Sequence, residues 1–313
     1  MENILVHIGY HKTATSWLQS ELFIDNNTVF QPLSKKPKGP SDLAVRFSRD
    51  QEDYFLSPFD LNTENILAGI EEIKVRPGFN QEKIPVLSHE MLSGSPHSGG
   101  FDAKNRAERI KNVFPEAKIL IVIREQKSFV LSAYFEYLNQ GGKLSLNKYL
   151  NRKFLIAKPY FSPSHIKYLP LIKEYRKLFG AENVLVLPYE MFRDAPLEFT
   201  GLLGNFVGKK IDVRPQQFQL KVNAKKDHYV NYKLRSLYFY LRHSENNSLF
   251  GRLKKNIIRK IFSLAKVIVP QKFNSNLQEG FKKEIKSWCK DRYTASNKVL
   301  GSLIGIDLSK YGY

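Results

Sequence analysis

Short apolar runs alternate with stretches of helical spacing along the first two hundred residues. Ile4, Leu5, Val6 and Ile8 read as a buried strand stopped at Gly9, after which Trp17, Leu18 and Leu22 share one side of a predicted helix. Pro85-Val-Leu-Ser-His89, Lys118-Ile-Leu-Ile-Val-Ile123 and Asn183-Val-Leu-Val-Leu187 predict three more strands. The run at 118–123 is apolar at every position after Lys118, as in strands covered by helices on both faces. Helical spacing predicts elements over Glu64–Ile73, Ala103–Val113, Lys127–Leu138, 145–156 and 163–179. Strands alternating with helices imply an α/β fold, a parallel sheet with helices on both sides in three layers. Two insertions interrupt it. Residues 26–62 are polar and rich in Pro and Gly, irregular apart from a short helix near Leu43–Phe47, and 91–101 contain the loop Ser93-Gly-Ser-Pro-His-Ser-Gly-Gly100. From Asp227 the pattern is nearly all helical. The expected division is an α/β core over 1–226 and a helical segment, 227–313, packed on the same domain.

At 313 residues the chain is long enough for a large core, and its apolar and charged fractions are ordinary. Its formal charge of +19 is not. An excess of that size suits an anionic partner such as nucleic acid, a membrane surface, an acidic glycan or a phosphorylated cofactor. A single cysteine, Cys289, excludes an internal disulfide framework. The first apolar run has only a strand's length, and no run is long enough to span a bilayer, so a soluble cytoplasmic protein without a leader is expected. The seven histidines are scattered along the sequence and no His-Glu-x-x-His helix occurs, so no metal site is signalled.

The chemistry concentrates where strands end. Lys12-Thr-Ala-Thr-Ser-Trp17 lies between the first strand and a helix N-terminus, where free backbone N–H groups and the helix dipole attract an anion. The phosphate loop of nucleotide hydrolases needs two glycines before its Lys-Ser/Thr pair, and this turn has only Gly9, which weighs against a kinase or hydrolase. Arg124 ends another strand, with Ser132 eight residues on. Ligands of open α/β sheets gather outside the strands' carboxyl ends, and an arginine fork with a serine hydroxyl suits a terminal phosphate. No recognition-helix, zinc-finger or RNA-binding motif supports a nucleic-acid binder.

Together these stretches resemble the sulfotransferases that use 3′-phosphoadenosine-5′-phosphosulfate (PAPS). The turn Lys12-Thr13-Ala14-Thr15-Ser16-Trp17 is similar to that family's Lys-x-x-Thr-[ST]-Trp turn, with Ala14 where glycine is usual. The resemblance implies a nucleotide-hydrolase-like fold, a 3′-phosphate held by Arg124 and Ser132, and Tyr189 of Val184-Leu-Val-Leu-Pro-Tyr-Glu190 against the adenine. It implies sulfuryl transfer from PAPS to an acceptor hydroxyl, here most in keeping with a carbohydrate, because Ser296-Asn297 and Gly305–Tyr313 resemble the tail of bacterial carbohydrate-acting members. Ser88-His89 falls where cytosolic members place a Thr-His pair carrying the catalytic histidine. The family's Arg-Lys-Gly cofactor loop has no copy here. Asn223-Ala-Lys225-Lys226, a basic turn before a helix, either replaces it or is a plain linker.

The implied roles fit the side chains. Lys12, the helix N-terminus and the hydroxyls of Thr13, Thr15 and Ser16 can stabilise charge on a leaving phosphate, without a metal. Trp17 either packs against the adenine or belongs to the core. His89 and Glu90 are both candidate general bases, and the expectation leans to Glu90.

Residues 249–268 place Leu249, Leu253, Ile257, Ile261, Leu264 and Ile268 at helical spacing, with six Lys/Arg and no acid between them. Packing of that stripe on the core is the commoner use and is the expectation. A helix lying on anionic lipid, near a lipid-linked glycan acceptor, is the other reading.

Overall fold

The computed structural model describes residues 3–36, 38–47, 63–152, 161–218, 228–243 and 249–313; the side chains of 241–243, 249–252, 254, 255 and 266 lie outside that description. The chain separates into two compact units. The first comprises Met1–Glu125, Ser162–Leu220 and Tyr293–Tyr313, the second Gln126–Phe161 and Lys221–Arg292.

The first unit is built on a parallel five-stranded sheet. Its strands are β1 (Leu5–His7), β2 (Phe30–Pro32), β3 (Ile84–Ser88), β4 (Lys118–Ile123) and β5 (Val184–Pro188), in the order β2-β3-β1-β4-β5. Leu5 stands opposite both Val86 and Lys118, and Ile119 opposite Val184. Side chains alternate across a strand, so Leu5, Leu120, Val122 and Leu187 join a core beneath the helix Pro196–Val207, with Phe199 and Leu203. Helices Ala103–Val113 and Leu169–Phe179 pack together, and the latter also contacts β4 and β5. Ile119 to Ile123 are all fully buried, as a strand apolar on both faces must be.

β2 corrects the expectation that 26–62 is irregular outside one short helix. Phe30, Gln31 and Pro32 pair with Ile84, Pro85 and Val86. The strand has three residues and ends in proline, which an edge strand tolerates, so it left almost no alternating pattern to read. The short helix itself is present, a 3₁₀ stretch over Asp42–Phe47; residues 48–62 lie outside the described ones. The loop expected over 93–100 contains 3₁₀ turns at Glu90–Ser93 and Pro96–Ser98. The helix expected from 163 begins at Leu169, and only Leu146–Leu150 of the 145–156 pattern is helical among the described residues.

The second unit is helical, with Gln126–Asn139, His228–Lys233, Arg235–His243, Leu249–Ile268 and Gln271–Cys289. Tyr134, Tyr149 and Phe281 form an aromatic centre, and the His228 ring stacks on Phe135 at 3.8 Å. Val230, Ile258 and Phe262 form a smaller cluster. The stripe expected to pack is exposed: Leu253, Ile257, Ile261, Leu264 and Ile268 are 43–73% accessible. The buried residues belong to a neighbouring face of the same helix.

Candidate functional site

The anion turn begins where β1 leaves the sheet. Ile8 N–H donates to the Leu120 carbonyl at 3.0 Å and Tyr10 N–H to that of Val122 at 3.1 Å, so β1 remains tied to β4 until the turn. Lys12 and Ala14 then take left-handed backbones, with φ of 66° and 61°. Such conformations crowd Cβ against a carbonyl, and glycine adopts them at far lower cost. Ala14 is the N-cap of the helical turn Thr15–Trp17, which continues as a π-helical stretch, Leu18–Leu22. A left-handed residue followed by a helical one directs successive N–H groups to one side, a concavity that takes anions. Gly9 is required for space: a Cβ there would sit 2.5 Å from His7 Nε2.

Within the turn Lys12 and Ser16 are exposed, Ala14 half-buried, and Thr13, Thr15 and Trp17 buried. The Thr13 hydroxyl donates to the Tyr10 carbonyl. That of Thr15 is buried without a partner, a polar atom that a bound anion would satisfy. Trp17 is held on three sides. Its Nε1–H donates to the Gln217 carbonyl at 2.6 Å, and its ring lies 5.1 Å from Phe218 and 4.8 Å from Phe192. The planes of Trp17 and Phe218 are only 16° apart.

Arg124, at the end of β4, donates to the Lys12 carbonyl at 2.9 Å, and its guanidinium lies 4.9 Å from the centre of the Tyr189 ring. Lys12, Arg124 and Tyr189, each just beyond the carboxyl end of its strand, are thus brought together. The Arg124 carbonyl accepts from Tyr168 at 2.5 Å. Next to Tyr189, Glu190 accepts the Glu125 N–H and the Tyr313 hydroxyl, both at 3.1 Å. Burial raises the Glu190 carboxyl above its ordinary pKa. Ser132 is half-buried on the helix Gln126–Asn139 of the second unit, and Asn223, Lys225 and Lys226 lie outside the described residues.

His89 and Glu90 follow β3. His89 caps the turn Glu90–Ser93: its Nδ1 accepts the Met91 N–H at 3.0 Å. A neutral ring that accepts at Nδ1 carries its proton on Nε2, so His89 has no second lone pair to offer an acceptor hydroxyl. Burial holds its pKa below the ordinary value, opposed by the adjacent Glu90. Glu90 is half-buried, and its neighbour Ser93 bonds the Glu90 carbonyl at 2.9 Å.

The histidines are not scattered in space. His7, His11, His89, His97 and His165 lie near enough for their charges to interact in a connected set. Burial drives His7 and His11 down to about 3 and His165 to about 4, and neighbouring histidines add to each shift. They are therefore neutral at pH 7. Among the described residues, no group of His, Cys, Asp and Glu is arranged to hold a metal ion.

Sequence reading missed Phe218, the histidine set and the Glu190–Tyr313 bond. Phe218 had no signal beyond being aromatic, whereas the Glu after Tyr189 was visible without its partner.

No protein-family model and no curated protein matches the chain. Among solved structures it is similar to a sulfotransferase from Alicyclobacillus acidocaldarius, with TM-score 0.50 and 18% identity over 80% of this chain and 99% of that one. Two others are the sulfotransferase domain from the curacin biosynthetic pathway (TM-score 0.43, 13% identity, 84% and 98% covered) and mouse sulfotransferase SULT7A1 complexed with PAP (0.37, 14%, 96% and 88%). At the identity of the first, the likeness is one of fold: a parallel five-stranded sheet flanked by helices, as in the Alicyclobacillus protein.

Proposed function

We propose that this chain is a sulfotransferase that takes PAPS as donor and sulfates a hydroxyl of a carbohydrate. The observation that carries the reading is the meeting of Lys12, Arg124 and Tyr189 around a left-handed anion turn, on a sheet of this fold. The residues fit such a donor. The turn offers N–H groups and an unsatisfied Thr15 hydroxyl to a phosphate, and Arg124 beside Tyr189 offers a charged fork next to an aromatic face. PAPS would supply an activated sulfuryl group; the rest is the protein's work. Lys12 and the turn's N–H groups hold the negative charge that grows on the leaving phosphate, a type of contact worth about 10²–10³ in rate per donor. Arg124 and Ser132 anchor the second phosphate and so fix the direction of attack. Asn223, Lys225 and Lys226 complete the nucleotide contacts.

Glu90 is the proposed base. The cap bond occupies the His89 lone pair, whereas the Glu90 carboxylate can accept the acceptor's proton. His89 holds the turn on which Glu90 rides. The test is transfer of labelled sulfate from PAPS to a panel of glycans. Glu90→Gln should lower turnover at least about 100-fold while 3′,5′-adenosine bisphosphate (PAP) still binds normally. His89→Gln, which keeps an acceptor for Met91, should retain most of the activity. The reverse ranking would make His89 the base, and labelling of no glycan would remove the carbohydrate acceptor.

A further inference from the structure

The helix Leu249–Ile268 shows two apolar faces, and only one has a partner. Ile258 and Phe262 are buried against Val230, with Tyr238 packed on them. At about 100° per residue, Leu253, Ile257, Ile261, Leu264 and Ile268 fall within an arc of roughly 80° beside that face. All five are exposed, at 61, 56, 43, 61 and 73%. An unbroken stripe of five large aliphatic side chains in water, 15 residues from end to end, far exceeds scattered surface leucines.

The charge on the same helix indicates what covers it. Its sequence carries six Lys/Arg and no Asp or Glu, and Arg259 and Lys260 are exposed. A second copy would bring six like charges against these six. A nucleic acid would use the cations but leave the aliphatic stripe in water. An anionic lipid surface satisfies both, with the stripe at the acyl boundary and cations among the headgroups. No described helix is long and apolar enough to cross a membrane, so the helix would lie in the surface. We propose that Leu249–Ile268 is an interfacial helix that docks the protein on anionic membranes. The proposal stands whether or not the turn at Lys12 handles a sulfated nucleotide.

The test is flotation of the full chain with vesicles of phosphatidylcholine alone or with about 30% phosphatidylglycerol at about 0.1 M salt. The protein should float with anionic vesicles and partition at least about tenfold less onto neutral ones. Ile257→Ser with Leu264→Ser should lower anionic partition at least about tenfold; both positions are exposed, so the fold and its circular dichroism should be unchanged. Arg259→Glu with Lys260→Glu should erase the preference for anionic vesicles. Failure of the wild type to float, or equal flotation of the serine double variant, overturns the proposal. So does a wild-type dimer in light scattering that this variant converts to monomer, since the stripe would then join two copies.

Discussion

Ala14 holds a left-handed backbone, φ 61° and ψ 5°, at the centre of the anion turn. That conformation costs an L-residue about 1–2 kcal/mol, and Ala14→Gly removes the cost. Glycine also gains freedom in the unfolded chain, which offsets about 0.5–1 kcal/mol. The net expectation is stabilisation of about 0.5–1 kcal/mol. For a unit of this size that is a rise in melting temperature of roughly 1–4 °C. Nothing packs into the space a Cβ vacates except the half-buried edge of the core around Trp17 and Leu18, so no cavity penalty of consequence applies. Differential scanning calorimetry of wild type and Ala14→Gly, in the same buffer without nucleotide, is the assay. The turn's N–H groups keep their directions, so PAP affinity should stay within about twofold. A melting temperature lowered by the substitution would refute the left-handed assignment. A rise accompanied by a large loss of nucleotide affinity would refute the claim that backbone geometry, rather than the alanine side chain, forms the site.

Acid should destabilise the protein in a defined window. His7, His11 and His165 have folded pKa values far below the ordinary 6.5, so the unfolded chain binds more protons than the folded one between about pH 6.5 and 3–4. Their stabilising contribution is complete above pH 6.5 and is lost as pH falls towards the folded values. For His165 the loss at pH 5 is roughly 2 kcal/mol. His165→Gln should therefore flatten the dependence of urea midpoint on pH between 7 and about 5; an unchanged slope would contradict the burial argument. Tyr313→Phe, which removes the bond to Glu190, should cost about 1–2 kcal/mol in urea unfolding, and a neutral effect would mean that the carboxyl finds another donor.

How legible the molecule was depends on the range of the interactions involved. β4 and the helix Ala103–Val113 have the bounds read from the sequence, because an apolar run and a capped periodic segment are local signals. β2 was invisible: three residues ending in proline carry no period. The stripe on Leu249–Ile268 was readable as amphipathic, but periodicity does not say which of two adjacent apolar faces packs, and the choice went to Ile258 and Phe262. The anion turn was marked by Gly9 and the change from strand to helix, whereas its left-handed Lys12 and Ala14 break the glycine rule and gave no sign. The meeting of Arg124 with Lys12 spans 112 residues and that of Glu190 with Tyr313 spans 123; only the sheet's topology brings such partners together.

The central claim, that the turn at Lys12 and the fork of Arg124 hold a nucleotide with phosphates at both ends, is tested most directly by calorimetric titration with PAP. The account predicts one site per chain in the wild type. Arg124→Ala should weaken it at least about tenfold, since a charged hydrogen bond is worth about 1.5–3 kcal/mol. Absence of heat from the wild type, or equal affinity in the two proteins, would contradict it.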